Sequence, residues 1–252
     1  HDNKFAQNIY FQNNITLTME IVGHRGLPIS HVENTIGSFE DAFKNGADAV
    51  ELDVHLSSDH VPIVFHDFDL KRLLNMDEKI YELSLSEIQK IKLGNDHIPT
   101  LYEVVKKFGD KKIYVELKTI DDYGKRYNEA LPEILHKNFN NYRNLVFISF
   151  DPKSLEEMRS YSEKYILGLD YEKNSEKILP FDVLEKFIEE FNLEYLLPDI
   201  KILDNFVKLN NEKIKLAPWT VNDISIIKNY AKNLYGIISD RCDIIRKQVT
   251  YL

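Results

Sequence analysis

From Met19 onward, short apolar runs alternate with longer stretches in which apolar residues recur every three or four positions. Strands followed by amphipathic helices read this way. Residues 20–24 form a first strand, and 33–44 a helix with Ile36, Phe39, Ala42 and Phe43 on one face, stopped by Asn45-Gly46. A second strand runs from Ala49 through Val54. Beyond Ile113 the alternation is regular: strands at 113–117, 145–150, 165–169, 195–198, 214–219 and 235–239 are followed by helices at 127–138, 152–163, 181–191, 202–210, 223–232 and 243–250. Eight such units predict an α/β fold, a (β/α)8 barrel of parallel strands. The alternative is a doubly wound open sheet, but no glycine fingerprint opens the first helix.

The stretch from about 56 to 110 is too long for a simple crossover and reads as an insertion after strand two. Within it, 61–66 follows the Ser58-Asp59-His60 turn as a strand returning toward strand two. Ser84–Ile91 is a short helix with Glu87 placed for a capping box, and Thr100–Phe108 is another helix. Residues 19–252 are expected to form a single barrel domain. The chain begins at His1, and Asn8-Ile9-Tyr10-Phe11-Gln12 resembles a viral-protease site of the kind placed after expression tags. Residues 1–18 are therefore expected to be a tag remnant or flexible leader with Met19 as the native start; a processed native leader is the alternative.

Strand two carries an oddity. Glu51 and Asp53 alternate with Val50, Leu52 and Val54, so both carboxylates point to one face. Burying such a pair without a partner costs about 3 to 5 kcal/mol. A hard divalent cation, magnesium or calcium, is the natural partner, and Glu116 at the end of the strand at 113–117 is the candidate third acid. The rival reading makes Glu116 and Lys118 an ion pair on one strand face.

Composition narrows the classes. Hydrophobic content of 43% and charged content of 29% belong to a globular chain. A net charge of −9 argues against nucleic acid or an anionic membrane as partner. The single Cys242 excludes an intrachain disulfide and a cysteine-based zinc site. No run reaches the roughly 18 apolar residues of a span, and the first residues lack a secretory apolar core. No stable membrane anchor and a cytoplasmic location are expected.

Ten blocks, in order, resemble the glycerophosphodiester phosphodiesterase family: Gly23-His24-Arg25-Gly26, Glu33-Asn34-Thr35, Gly46-Ala47-Asp48, Val50-Glu51-Leu52-Asp53-Val54, Val64-Phe65-His66-Asp67, Ile98-Pro99-Thr100-Leu101, Glu116-Leu117-Lys118, Ser149-Phe150, Trp219-Thr220-Val221-Asn222 and Ser239-Asp240. The resemblance implies one divalent cation held by Glu51, Asp53 and Glu116, with His24 and His66 as acid and base on a phosphodiester. It also implies Arg25 and Lys118 as phosphate clamps, Glu33 holding Arg25 or a glycerol hydroxyl, and Trp219 as an apolar wall or simple core. The implied partner is a small glycerophosphodiester, cleaved to glycerol 3-phosphate and an alcohol. The chemistry agrees: such a cleavage wants charge neutralised at phosphorus, a base and an acid, and histidine can serve as either.

The departures are Val32 for the usual proline, His60 for a turn glycine, and Lys71-Arg72-Leu73-Leu74-Asn75 where the family has an arginine-threonine-glycine pattern. The last bears on substrate preference. A lysophospholipase D would need an apolar groove, for which Phe65, Phe68, Leu70, Leu73, Leu74 and Met76 are the source. A non-catalytic phosphate-binding module is the remaining alternative. His31, His55, His60, His97 and His136 match no block, though His55 lies close to the acids.

Overall fold

The computed structural model describes residues 19–121, 123–177, 179–207 and 214–249. The leader at 1–18 and the end of the helix expected at 202–210 lie outside them. The strands are β1 (Glu20–His24), β2 (Ala49–Leu56), β3 (Pro62–Val64), β4 (Lys92–Leu93), β5 (Asp96–His97), β6 (Lys112–Leu117), β7 (Leu145–Ser149), β8 (Ile166–Tyr171), β9 (Tyr195–Pro198), β10 (Lys215–Leu216) and β11 (Gly236–Ser239). All except β3, β4 and β5 run parallel in the order β10-β9-β8-β7-β6-β2-β1-β11. Across the two ends of that order, Tyr235 N–H donates to Leu216 O at 2.9 Å and Ile238 N–H to Pro218 O at 3.0 Å. Eight parallel strands thus make a nearly closed (β/α)8 barrel. The seam is thin because Pro218, facing β11, has no N–H to give.

Strand alternation divides the interior in two. Ile21, Val50, Leu52, Val115, Phe147 and Leu167 point outward into the layer beneath the helices. Val22, Ala49, Tyr114, Val146, Ile148, Tyr195, Leu197, Ala217 and Ile238 fill the lumen. Glu51 and Asp53 share the face of Ala49, so both carboxylates enter the lumen above that apolar floor.

The element boundaries that differ from expectation do so for local reasons. Helix α1 is Ile36–Lys44, not 33–44, because Asn34 adopts φ 59° and Thr35 is the N-cap, its side chain accepting from Ser38 N–H. The helix expected at 127–138 begins at Leu131, since Tyr127 N–H is used by Thr119 O and Asn128 has φ 46°. A four-residue helix Ile224–Ile227 and a 3-10 turn Ala231–Asn233 replace the helix at 223–232, and a 3-10 turn Ile200–Asn205 stands where 202–210 was to begin.

In the stretch after β2, β3 pairs antiparallel with β2, with Val54 opposite Val64. The one-turn helices α2 (Lys71–Leu74) and α3 (Leu85–Ile88) and the β4–β5 hairpin follow, then α4 (Leu101–Phe108). Ile63, Phe65, Leu70, Ile80, Ile88, Leu93 and Ile98 give this stretch its own core. His60 adopts φ 62°, the turn conformation its place after Asp59 requires. Among the described residues no helix is long and apolar enough to cross a membrane.

Candidate active site

At the C-terminal ends of the strands, β2 and β6 lie side by side with Asp53 opposite Glu116. One oxygen from each of Glu51, Asp53 and Glu116 lies within 4.8 Å of the others, and all three residues are buried. Asp53 Oδ1 accepts no hydrogen bond although it is wholly buried. Three convergent carboxylates, one of whose oxygens accepts no hydrogen bond, fit a hard, oxygen-seeking cation, so the cluster is able to hold a metal ion. Burial, reinforced by Asp53 and Glu116, pushes the Glu51 carboxyl well above the usual range. Burial likewise raises Glu116 to about 7 although Lys118 opposes it. Asp53 is held low against burial by His66, Arg25 and Lys118 and by the Asn34 amide.

Two histidines flank this cluster. His24, at the end of β1, has Nδ1 2.6 Å from Asp240 Oδ1 and Nε2 3.9 Å from Glu51. His66, just after β3, has Nδ1 2.7 Å from Asp67 Oδ1 and Nε2 4.0 Å from Asp53. Each ring thus gives one nitrogen to an aspartate and turns the other toward the acids. Burial lowers the His66 pKa despite Asp53.

The cations come from two directions. Arg25 sits at φ 54°, a left-handed conformation rare outside glycine, and its N–H donates to Glu51 Oε2 at 3.0 Å. The next residue must be glycine, because a Cβ on Gly26 (φ 90°) would meet Ser38 at 2.4 Å. The Arg25 guanidinium donates to Glu33 Oε1 at 2.9 Å, and its Nε lies 3.4 Å from Asp53. Lys118, two residues after Glu116 on the same face, donates to Glu116 at 2.9 Å and stands 3.5 Å from Asp53 Oδ1. Against the cost of burial, the neighbouring acids hold both Arg25 and Lys118 firmly charged.

Several residues here carry contacts that the sequence alone does not assign to them. Arg72, on α2, donates to Asp67 Oδ2 at 2.6 Å and to both oxygens of Glu33, at 2.5 and 3.1 Å. It ties the carboxylate behind His66 to the one behind Arg25. Asn34 gives its amide to Asp53 Oδ2 at 2.8 Å and receives Asp53 N–H at 3.3 Å, clipping the loop to β2. His55 is a buried support. Its Nε2 donates to His66 O at 3.0 Å, Asn128 donates to its Nδ1 at 3.1 Å, and burial drives its pKa to about 3, so the ring is neutral.

These groups open into a cavity of about 820 Å³, whose wall includes Phe150, Trp219, Phe68, Tyr127 and Asp170. The Trp219 ring meets Phe150 edge-on at 5.6 Å, and its Nε1 donates to Leu197 O at 2.7 Å. Of the six apolar residues proposed for an acyl groove, Phe68 lines the cavity, whereas Phe65, Leu70, Leu73, Leu74 and Met76 pack into the separate core of the stretch after β2.

Comparison with known proteins identifies the family. The model of the glycerophosphoryl diester phosphodiesterase family matches residues 24–244. A glycerophosphodiester phosphodiesterase of Caldanaerobacter subterraneus subsp. tengcongensis is 30% identical over 232 residues, covering 87% of this chain and 93% of that protein. The crystal structure of the glycerophosphodiester phosphodiesterase of Thermotoga maritima aligns with a TM-score of 0.77 at 28% identity, covering 91% of this chain and 98% of the other. A phosphodiesterase of Oleispira antarctica, solved in complex with the product sn-glycerol-3-phosphate, shares the fold with a TM-score of 0.73 at 24% identity, over 91% of this chain and 96% of its own. With a family match across nearly the whole described chain and a relative of this identity and coverage, the chain belongs to the glycerophosphoryl diester phosphodiesterase family of phosphoric diester hydrolases.

Proposed function

We propose that this chain hydrolyses small glycerophosphodiesters to sn-glycerol 3-phosphate and an alcohol, with a divalent cation, magnesium or calcium, held by Glu51, Asp53 and Glu116. The observation that carries the reading is the buried trio of acids flanked by two aspartate-backed histidines. When bound, the cation would neutralise charge on the phosphodiester oxygens. Arg25 and Lys118 add fixed positive charge on either side of the acids and would grip the non-bridging oxygens.

One histidine takes the proton from the glycerol hydroxyl next to the phosphate as its oxygen attacks phosphorus. The other gives a proton to the departing alcohol oxygen, so that the P–O bond breaks without releasing an alkoxide. Water then opens the resulting cyclic phosphate with the proton transfers reversed. Asp240 and Asp67 fix the tautomers and stabilise each imidazolium as it forms. Trp219 and Phe150 form the apolar side of the cavity.

The test is release of sn-glycerol 3-phosphate from glycerophosphocholine with magnesium or calcium, repeated with a chelator. Product that vanishes with chelator and returns with cation is the expected result. Turnover that survives exhaustive chelation would refute the cation-dependent reading. Activity confined to micellar lysophospholipid would make the enzyme a lysophospholipase D, and tight phosphate binding without product would make it a binding module.

A further inference from the structure

Asp170 has no part in the mechanism above, yet it is among the most costly residues of the lumen to keep. It lies on β8 two positions beyond Gly168, and a Cβ at Gly168 would strike Leu197, Tyr195 and Ile148 of the lumen floor. Strand alternation therefore turns Asp170 into the lumen just above that floor, in the cavity wall. It is 3% exposed, and its Oδ2 accepts no hydrogen bond. Among the described residues it is not a member of the acid trio. A buried carboxylate with an unpaired oxygen destabilises a fold unless a ligand completes it.

Resting on the function proposed above, we infer that Asp170 is a specificity residue that pairs with the glycerol hydroxyls of the substrate. The position of Asp170 in the cavity favours this partner over the alcohol headgroup. The site is deep, whereas Glu172 and Tyr123 line the outer cavity and Tyr123 is 95% exposed. A headgroup that differs between substrates belongs at the open rim; the glycerol common to all of them can be enclosed.

The test uses Asp170→Asn and Asp170→Ala in the full chain with saturating magnesium. Calorimetric titration with sn-glycerol 3-phosphate is expected to weaken by about tenfold or more, while titration with inorganic phosphate stays within about threefold. Both variants are expected to melt at or above the wild-type temperature without ligand, which a structural role would not produce. In kinetics, wild type loses rate on a phosphocholine analogue lacking the terminal glycerol hydroxyl, and Asp170→Ala no longer distinguishes it from glycerophosphocholine, most of the change appearing in KM. Equal losses for glycerol 3-phosphate and inorganic phosphate overturn the inference, because Asp170 would then serve the phosphate site. Unchanged binding of both overturns it too. Failure of wild type to turn over any glycerophosphodiester sinks the function instead, and the two titrations then decide the role of Asp170 alone.

Discussion

At the N-terminal end of the lumen, Glu20 accepts from Lys112 at 2.7 and 3.0 Å and from the Tyr114 hydroxyl at 2.5 Å, while Lys112 also donates to Tyr195 OH at 2.7 Å. The ammonium lies 4.9 to 5.2 Å from the ring centres of Tyr114, Tyr195 and Tyr235. At the C-terminal end, Asp53 Oδ1, Asp170 Oδ2 and Arg25 Nε lack hydrogen-bond partners. Both ends bury charge, but only the first satisfies it from within the chain. Satisfied polar clusters support the fold, and unsatisfied ones wait for something from outside it.

Substitutions at the two ends should therefore separate stability from activity. The largest effect is expected from Asp53→Asn, which should lower kcat/KM for glycerophosphocholine by about a thousandfold or more, the scale of removing a central electrostatic group. Its melting temperature in chelator should not fall by a comparable measure. An active Asp53→Asn protein would remove the central acid from the mechanism.

Arg72→Ala comes next. It frees Asp67 and Glu33 together, so a loss of about 10- to 100-fold in kcat is expected, the range seen when groups that orient a reacting site are removed. Guanidinium ion in the assay should restore part of the rate; no rescue would mean that the loss comes from collapse of α2.

At the opposite end, Lys112→Met should reverse the pattern, lowering stability by about 1 to 2 kcal/mol in urea titrations, because Glu20 keeps only the Tyr114 hydroxyl and Tyr195 only Lys215 at 3.4 Å as donors. Its kcat should stay within about twofold, since the change lies at the face remote from the chemistry. The smallest effect is the pH dependence of this difference. Against burial, Glu20 and Tyr195 raise the Lys112 pKa. A cation whose folded pKa exceeds its unfolded one stabilises fully below the ordinary lysine value of about 10.4. That contribution is lost as pH rises through the raised value. The stability gap between wild type and Lys112→Met should be constant through neutral pH and narrow only in strong alkali. Narrowing near pH 8 would contradict the assigned ion pair.

The two ends were not equally legible in the sequence. Glu51 and Asp53 announced themselves because acids at alternate positions in an apolar run have a single structural meaning, and their lumen-facing partners Glu116 and Lys118 repeat the same spacing. Asp170 is hidden in the sequence because the apolar run predicts a strand at 165–169, one residue short of it, and a lone acid after an apolar run looks like the start of a loop. Arg72 meets Glu33 only through the folding of the stretch after β2, and Asp240 reaches His24 across nearly the length of the chain. No local period records such pairings. Asn34 reads as the first turn of a helix; its actual task, at positive φ, is to hold Asp53.

The seam between β10 and β11 is the place where the ring is joined by the fewest rungs. Trp219 and Asp240 stand at its upper lip, whereas the acid trio hangs on β2 and β6, which are paired over six consecutive positions from Ala49 to Val54. Breathing of the barrel should thus begin on the side that supplies the aromatic wall and leave the anchored side still. Amide hydrogens near Tyr235 and Ile238 would exchange with solvent well before those of Leu52 and Val115, and the molecule would yield like a clasp rather than a hinge.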